Sequence, residues 1–464
     1  MTTPIDDRLA EVVRVEGGRV VAVLARNLGD LMRAEDAVQE ATIAALDTWP
    51  SAGIPAEPRA WLLTVARRKA LDVLRRERNR AGKEEEAVAL LEQMRDDEPP
   101  DGDRSSVDDD LLRLMFTCCH PALELDAQVA LTLRTVCGLS VADIARVLLI
   151  SEDTAAKRLV RTRQKIARAG IPYRVPSDAD LPARLAPVAA VVHLVFTAGY
   201  AGSPDADLVR VDLCGEAVRL ARLLNQLLPG EPTLQGLLAL LMLTHARREA
   251  RVDEDGGLVL LADQERSRWH ADEIAEGLQL LDESLRRSAG LADRYQLEAA
   301  LAAHHVASGD PDWDEILRLY DLLDEVAPSL AVTVNRAVAV AEVRGPAVAL
   351  DELENPGTPP TLALHIARAD LLRRLRRPAE AAEAFGRALA AGPTAPEQRF
   401  LRRRLAELEA ELAGLADQPA PVGPTRTRRR ERPRAPGSRG VSLDSAPPRD
   451  LDLRWAATTT ISAP

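Results

Sequence analysis

Leu131-Thr-Leu-Arg-Thr-Val-Cys-Gly-Leu-Ser140-Val-Ala-Asp-Ile-Ala-Arg-Val-Leu-Leu-Ile-Ser151-Glu-Asp-Thr-Ala-Ala-Lys-Arg-Leu-Val-Arg161 reads as three helices joined by tight turns. Gly138 ends the first, because glycine accepts the left-handed backbone that closes a helix. Ser140 can cap the second, with Asp143 three residues on, and Leu149-Ile150 makes a short apolar turn before Ser151 caps the third. Along that third helix Ala155, Leu159, Thr162 and Ile166 recur at helical spacing and predict a buried stripe. Thr154, Arg158, Arg161 and Lys165 form a second stripe, with Lys157 beside it. A short packed helix holding another whose outer face is cationic is the design of a helix-turn-helix. Such a helix enters the major groove, where arginine bonds guanine O6 and N7 and lysine neutralises phosphate.

Composition extends the helical reading to the whole chain. Apolar residues make up 46% of the 464 residues but aromatics only 3%, and the apolar set is dominated by Ala and Leu, strong helix formers. The fold class expected is all-α, and a length of this order suggests about three units. Four cysteines (Cys118, Cys119, Cys137, Cys214) imply no disulfide framework and fit a reducing compartment. The N-terminus lacks the pattern of a signal peptide, and the longest apolar run, near Pro187 to Val195, is short for a membrane span, so a cytoplasmic protein with no membrane partner is expected.

The net charge of −12 is an average over a bipolar chain. Arg59 to Arg80 holds eight basic residues against Asp72 and Glu77, a net of +6. Glu152 to Arg168 nets +4, and between them Glu84 to Asp110 carries twelve acids and two arginines, a net of −10. Two basic helical stretches separated by an acidic spacer point back to nucleic acid despite the overall acidity.

The spacing defines five segments: a helical bundle over 6–81, an acidic linker over 82–110, the helix-turn-helix unit over 111–172, a helical domain over 177–414 and a tail over 415–464. In the first, Leu62, Val65, Ala66, Ala70, Val73 and Leu74 fall at helical spacing behind Pro58, and the basic residues occupy what remains. Trp61 at the head of that helix reads first as a core anchor, and is also an aromatic able to stack on an unpaired base. In the fourth, Ala369, Leu372, Ala381, Phe385, Ala388 and Pro393 fit the positions of a 34-residue helix-turn-helix repeat of the tetratricopeptide type. Tyr320 and Pro328 repeat the Phe385–Pro393 offset, and Ala337, Val340 and Ala349 fit a repeat between. The tail, with Arg426 to Arg434, has the composition of a solvated disordered segment.

Taken in order, Asp36-Ala-Val-Gln39-Glu40, Trp49-Pro50, Pro58-Arg59-Ala-Trp61-Leu-Leu-Thr-Val-Ala-Arg67-Arg-Lys-Ala-Leu-Asp72-Val-Leu-Arg75-Arg76, a spacer and the helix-turn-helix resemble the extracytoplasmic-function group of bacterial RNA polymerase sigma factors of the sigma-70 family, over residues 8–172. Val195-Phe196-Thr-Ala-Gly-Tyr200, Arg268-Trp269, Ile274-Ala-Glu-Gly277, Tyr295-Gln-Leu-Glu-Ala-Ala, Asp312-Trp313, Leu319-Tyr320-Asp and Asn335-Arg-Ala-Val-Ala-Val resemble the subgroup with a fused C-terminal tetratricopeptide-like domain, to about residue 413.

The resemblance implies roles. Asp36, Gln39 and Glu40 match the helix that docks on core RNA polymerase. Trp61, Arg67, Arg68, Lys69, Arg75 and Arg76 match the segment that meets the minus-ten promoter element, and Thr154, Lys157, Arg158, Arg161 and Lys165 the helix facing the minus-thirty-five element. Arg68 stands where many members carry Asn, and Thr197-Ala198 where the subgroup has an Asn-Glu pair. The C-terminal domain is expected to contact the sigma domains or another partner, and to inhibit or support activity.

No cofactor is expected. Cys118-Cys119-His120 with Cys137 lacks the two-residue gap that converges two thiolates on one zinc, and the thiols read as small buried residues. Phosphate loops and nucleophile elbows are absent, which argues against an enzyme. Two other readings of the residues remain: a helix-turn-helix regulator acting on duplex DNA without core polymerase, and an interaction scaffold with incidental basic helices.

Overall fold

The computed structural model describes residues 4–81, 104–201 apart from 149, 172, 175, 178 and 179, 211–253, 258–354 apart from 289 and 291, and 360–416. The fold is all-α: the regular elements among these residues are helices, with one isolated antiparallel bridge between Val252 and Leu258. Most of the linker, the tail beyond Ala416 and the two positions Pro172 and Leu149 lie outside the described residues.

The chain divides into two compact units. The first comprises, among the described residues, those of 4–201, 211–245 and 271–299. It opens with α1 (Pro4–Leu28), α2 (Leu31–Ala52) and α3 (Pro58–Ala81), which pack on one another. Asp30 caps α2 by accepting from the backbone N–H of Met32 and Arg33 at 2.9 and 3.2 Å. The helix runs through Trp49-Pro50 and stops at Gly53, whose φ of +81° needs a glycine and whose N–H bonds the Trp49 carbonyl at 2.9 Å. The core between these helices is Leu24, Ala34, Ala41, Trp49, Leu62 and Ala66, all nearly inaccessible to solvent. Each large apolar side chain so buried contributes about 1.5–3 kcal/mol. Val73, expected among the apolar positions, is instead exposed at 44% and lies on the outer face of α3.

The unit continues through α4 (Arg104–Cys118), α5 (Leu125–Thr135), α6 (Val141–Val147) and α7 (Glu152–Ala169). The helix α4 begins inside the acidic stretch read as linker. Asp110 is buried at 1% exposure, with Arg26 of α1 at 3.3 Å and Arg113 at 3.0 Å. A carboxylate so enclosed needs its partners; Arg26 ties α1 to α4, and Arg113 pairs with Asp110 one turn along α4 itself. Tyr173 shares its hydroxyl between the carbonyls of Ala22 at 2.8 Å and Asp110 at 3.0 Å. Burial holds that phenol protonated well above its ordinary range.

Four helices complete the unit: α8 (Leu181–Ala201), α9 (Val211–Leu227), α10 (Pro232–His245) and α11 (Ala271–Arg287), with residues 294–299 at the start of α12 (Arg294–Val306). The apolar stretch of α8 is longer than the run read from the sequence: Ala183–Tyr200 has the length and composition of a membrane span. Here it is a core helix, with Val188, Val191, Val192, Val195 and Phe196 at 0% exposure between α5, α9 and α10.

The second unit comprises, among the described residues, 246–270 and 300–416. Its helices α13 (Trp313–Val326), α14 (Leu330–Val343), α15 (Pro346–Leu353), α16 (Leu362–Arg374), α17 (Pro378–Ala390) and α18 (Ala395–Ala416) each pack on the next, and α14 also meets α16. Ala337, Val340, Ala349, Ala369, Leu372, Ala381, Phe385 and Ala388 are all buried. Small residues at these positions let neighbouring helices approach closely. Arg336 ties three of them together, bonding Asp321 of α13 and Glu352 of α15 at 2.7 Å each.

Candidate nucleic-acid interface

Helix α7 follows from its sequence. Ser151 accepts from the Thr154 N–H at 3.2 Å, and Gly170, in the left-handed conformation at φ +58°, closes the other end. Ala155, Leu159, Thr162 and Ile166 are buried, as their spacing predicts. In the preceding helix Ser140 accepts from the Asp143 N–H at 3.1 Å and donates to its carboxylate at 2.6 Å. Gly138 adopts φ +69°.

With one side of α7 fixed inward, Thr154, Lys157, Arg161 and Lys165 are exposed, and Arg158 is half-buried. They line an open groove of about 780 Å³ together with Leu123, Glu124 and Asp126 from the start of α5. The cations are held by acids beside them: Arg158 reaches Asp126 at 3.1 Å and Lys157 reaches Asp153 at 2.6 Å. Exposed pairs of this kind are worth at most about 1 kcal/mol. A phosphate or a guanine edge can therefore displace the acid at small cost.

Helix α3 carries the second basic set. Leu62, Ala66, Ala70 and Leu74 are buried, which turns Arg68 and Arg75 outward and leaves Arg67 and Lys69 half-buried. Lys69 pairs with Glu40 of α2 at 3.3 Å and Arg75 with Asp72 at 3.7 Å. Trp61 is half-buried and packs edge-on against Trp49, ring centres 5.2 Å apart. The side chain of Arg76 lies outside the described residues.

On α2, Asp36, Gln39 and Glu40 are exposed. The structure adds residues that the sequence reading missed: Met32, Ile43 and Leu46 are 41%, 47% and 49% exposed. With Asp36 and Gln39 they recur at i, i+4, i+7, i+11 and i+14, a single stripe of three apolar side chains, one acid and one amide on the outside of the helix. Its signal was in the sequence, as a second apolar periodicity beside the buried one. Exposed apolar groups gathered on one face mark a protein-binding surface.

The cysteines are buried. Burial pushes the Cys119 thiol up to about 12, against a hydrogen bond from Thr132 and the nearby Arg184 charge that pull it down. Cys118 and Cys137 are raised for the same first reason. Thiols held protonated are poor metal ligands. His120 accepts from the Ala122 N–H at 3.1 Å.

Comparison with known proteins agrees with this geometry. Residues 12–80, holding α2 and α3, match the model of sigma-70 region 2, and residues 113–166, holding the helix-turn-helix, match that of sigma-70 region 4. Residues 184–285 match a family of unknown function (DUF6596). An uncharacterised protein of Rhizobium meliloti (strain 1021) is 42% identical over 407 residues, covering 86% of this chain and 96% of that one. The chain belongs to the sigma-70 family. It is a sigma factor, a DNA-binding subunit that associates with RNA polymerase and directs transcription to particular promoters.

Proposed function

We propose that this protein is a sigma factor of the extracytoplasmic-function type working in the cytoplasm, and that it divides its labour among three helices. Helix α7 reads the minus-thirty-five element through Arg158 and Arg161, with Thr154, Lys157 and Lys165 on the adjoining phosphates. Helix α3 takes the minus-ten element through Arg67, Arg68, Lys69, Arg75 and Arg76, with Trp61 at its head. Helix α2 docks on core polymerase through Asp36, Gln39 and Glu40, joined by Met32, Ile43 and Leu46. The protein does no bond-making chemistry of its own. The observation that carries the reading is the exposed stripe on α2. A regulator acting on duplex DNA alone needs only α7, whereas a mixed apolar and acidic helix face beside two basic helices calls for a protein partner.

The C-terminal helices form a tetratricopeptide-like domain that regulates or supports this activity, and α8, in the segment that leads into it, contacts region 4. Support for the repeat comes from the small buried residues of α14 to α17. Support for the contact comes from Arg184 of α8, whose guanidinium donates to the Phe116 carbonyl of α4 at 2.7 Å and lies over the Phe116 ring.

The test is transcription by purified core polymerase on fragments of the source genome, with and without this protein. New start sites that need both components support the reading. Protection of duplex sites by the protein alone, with no core-dependent start, would leave a helix-turn-helix regulator instead.

A further inference from the structure

Asp126 stands in the first turn of α5, at the edge of the groove that the cations of α7 line. The turn before it is firmly held. Gln128, itself buried, donates through Nε2 to the Leu123 carbonyl at 2.9 Å and to the His120 carbonyl at 3.3 Å. From that fixed base the Asp126 carboxylate accepts a bond at 3.1 Å from Nη1 of Arg158, 32 positions along the chain and on another helix. The Arg158 side chain is 26% exposed, and the acid that holds it 69%. Lys157 differs: its acid, Asp153, lies one turn back on α7 itself, and both members of that pair stand in solvent. One cation of the groove is therefore steered from outside its own helix.

The chemistry of this pair separates two parts of a DNA duplex. A guanidinium is a flat fork of five N–H donors. Its bond to Asp126 uses Nη1, and that group makes no other hydrogen bond among the described residues. The edge formed by Nε and Nη2 keeps two parallel donors, which match O6 and N7 of guanine. A guanine edge carries no net charge and leaves the carboxylate in place. A phosphate is an anion. To take Arg158 it must displace Asp126 and then stand beside that carboxylate and beside Glu124, which precedes α5 and lines the same groove. Breaking an exposed ion pair costs little, but the acid set free stays where it was and repels the phosphate. Specificity gained by penalising the wrong partner needs no further contact with the right one.

We propose that Asp126 is a positioning residue of the minus-thirty-five interface, which presents Arg158 to a guanine edge and withholds it from the DNA backbone. The inference rests on the sigma-factor reading of α7. It adds to the reading helix a residue of α5 that itself touches no base. Asp153 does not share the role, because its lysine is a point charge with no edge to aim.

The experiment is selection from a pool of linear duplexes carrying a randomised segment, by the full-length protein assembled with purified core polymerase. The parent should select a motif with guanine at one position, and Arg158→Ala should lose that guanine. Asp126→Asn should lower the preference for it about tenfold. The same variant should bind the unselected pool about fivefold more tightly. Its slope of log K against log salt should steepen by about 0.9, the mark of one more phosphate contact. Asp126→Glu, which keeps the charge, should keep the guanine, and Asp126→Asn added to Arg158→Ala should change the preference no further. Asp153→Asn should strengthen binding to every duplex alike with the motif intact. Asp126 is a surface residue, so circular dichroism should find the helix content of its variants equal to that of the parent. A motif that Asp126→Asn leaves unchanged, with or without a uniform gain in affinity, overturns the positioning role and leaves the sigma reading standing, as does a motif that does not depend on Arg158. A parent that selects no sequence overturns the DNA reading of α7 and this role with it.

Discussion

At the residue scale, the seats of individual side chains set what each change should cost. Arg161 is exposed on the reading face and Arg158 is held by Asp126. Replacing either arginine by alanine should weaken binding to a minus-thirty-five duplex by about 1–3 kcal/mol if it reads a base, with discrimination lost at one position. Lys157→Ala should weaken all duplexes alike and reduce the salt dependence. Titration of binding at two salt concentrations separates the two. Trp49, at 1% exposure against Trp61, is the anchor of the first bundle, and Trp49→Ala should cost about 3–5 kcal/mol in denaturant unfolding. The thiols predict a pH dependence. Cys119 is pushed from 9.0 up to about 12 when folded, so the unfolded chain releases its proton first. That contribution to stability is whole below pH 9 and is lost as pH rises from 9 toward 12, by up to about 1.4 kcal/mol per pH unit for this thiol. Urea midpoints at neutral pH and at pH 10 should differ, and Cys119→Ala should narrow the difference.

At the element scale, helices were legible wherever local chemistry dictates them. The cap by Ser151, the stop at Gly138 and the buried stripe from Ala155 to Ile166 are short-range facts, and each is found in place. Ser151→Ala should cost about 1 kcal/mol and fray the start of α7, read as faster amide exchange at Asp153 and Thr154. Less legible was which apolar residues a helix leaves outside. Val73 fits the periodicity of α3 and is exposed, while Ile43 and Leu46 on α2 were passed over because a second apolar face has no meaning until the first is known to be filled. Glu35 was invisible for a stronger reason: its partners, Thr135 and Arg163, are 100 and 128 positions away, and no local pattern encodes a pairing at that separation. Ile43→Glu together with Leu46→Glu should abolish retention of the protein by immobilised core polymerase with helix content unchanged, and wild-type retention would remove that face from the interface.

At the scale of the whole molecule, the negative net charge conceals the function. The cationic helices carry acids beside them, Glu40 and Asp72 at α3 and Asp126 and Asp153 in the groove of α7. Domain boundaries read from composition did not foretell that α8 to α11 would cluster with the sigma regions in one compact unit while the later helices form another. Contact between α8 of the segment of unknown function and the helices of region 4 gives truncation a clear meaning. A chain ending after Pro176 loses these contacts: faster initiation by the truncated chain marks the missing helices as restraining, and lost activity marks them as required to hold region 4 in shape. The most direct test of the central claim is transcription from fragments of the source genome by purified core polymerase. The account predicts start sites that appear only when this protein is added and vanish with Asp36→Arg and Gln39→Ala combined. The absence of any core-dependent start, with duplex protection by the protein alone, would contradict it.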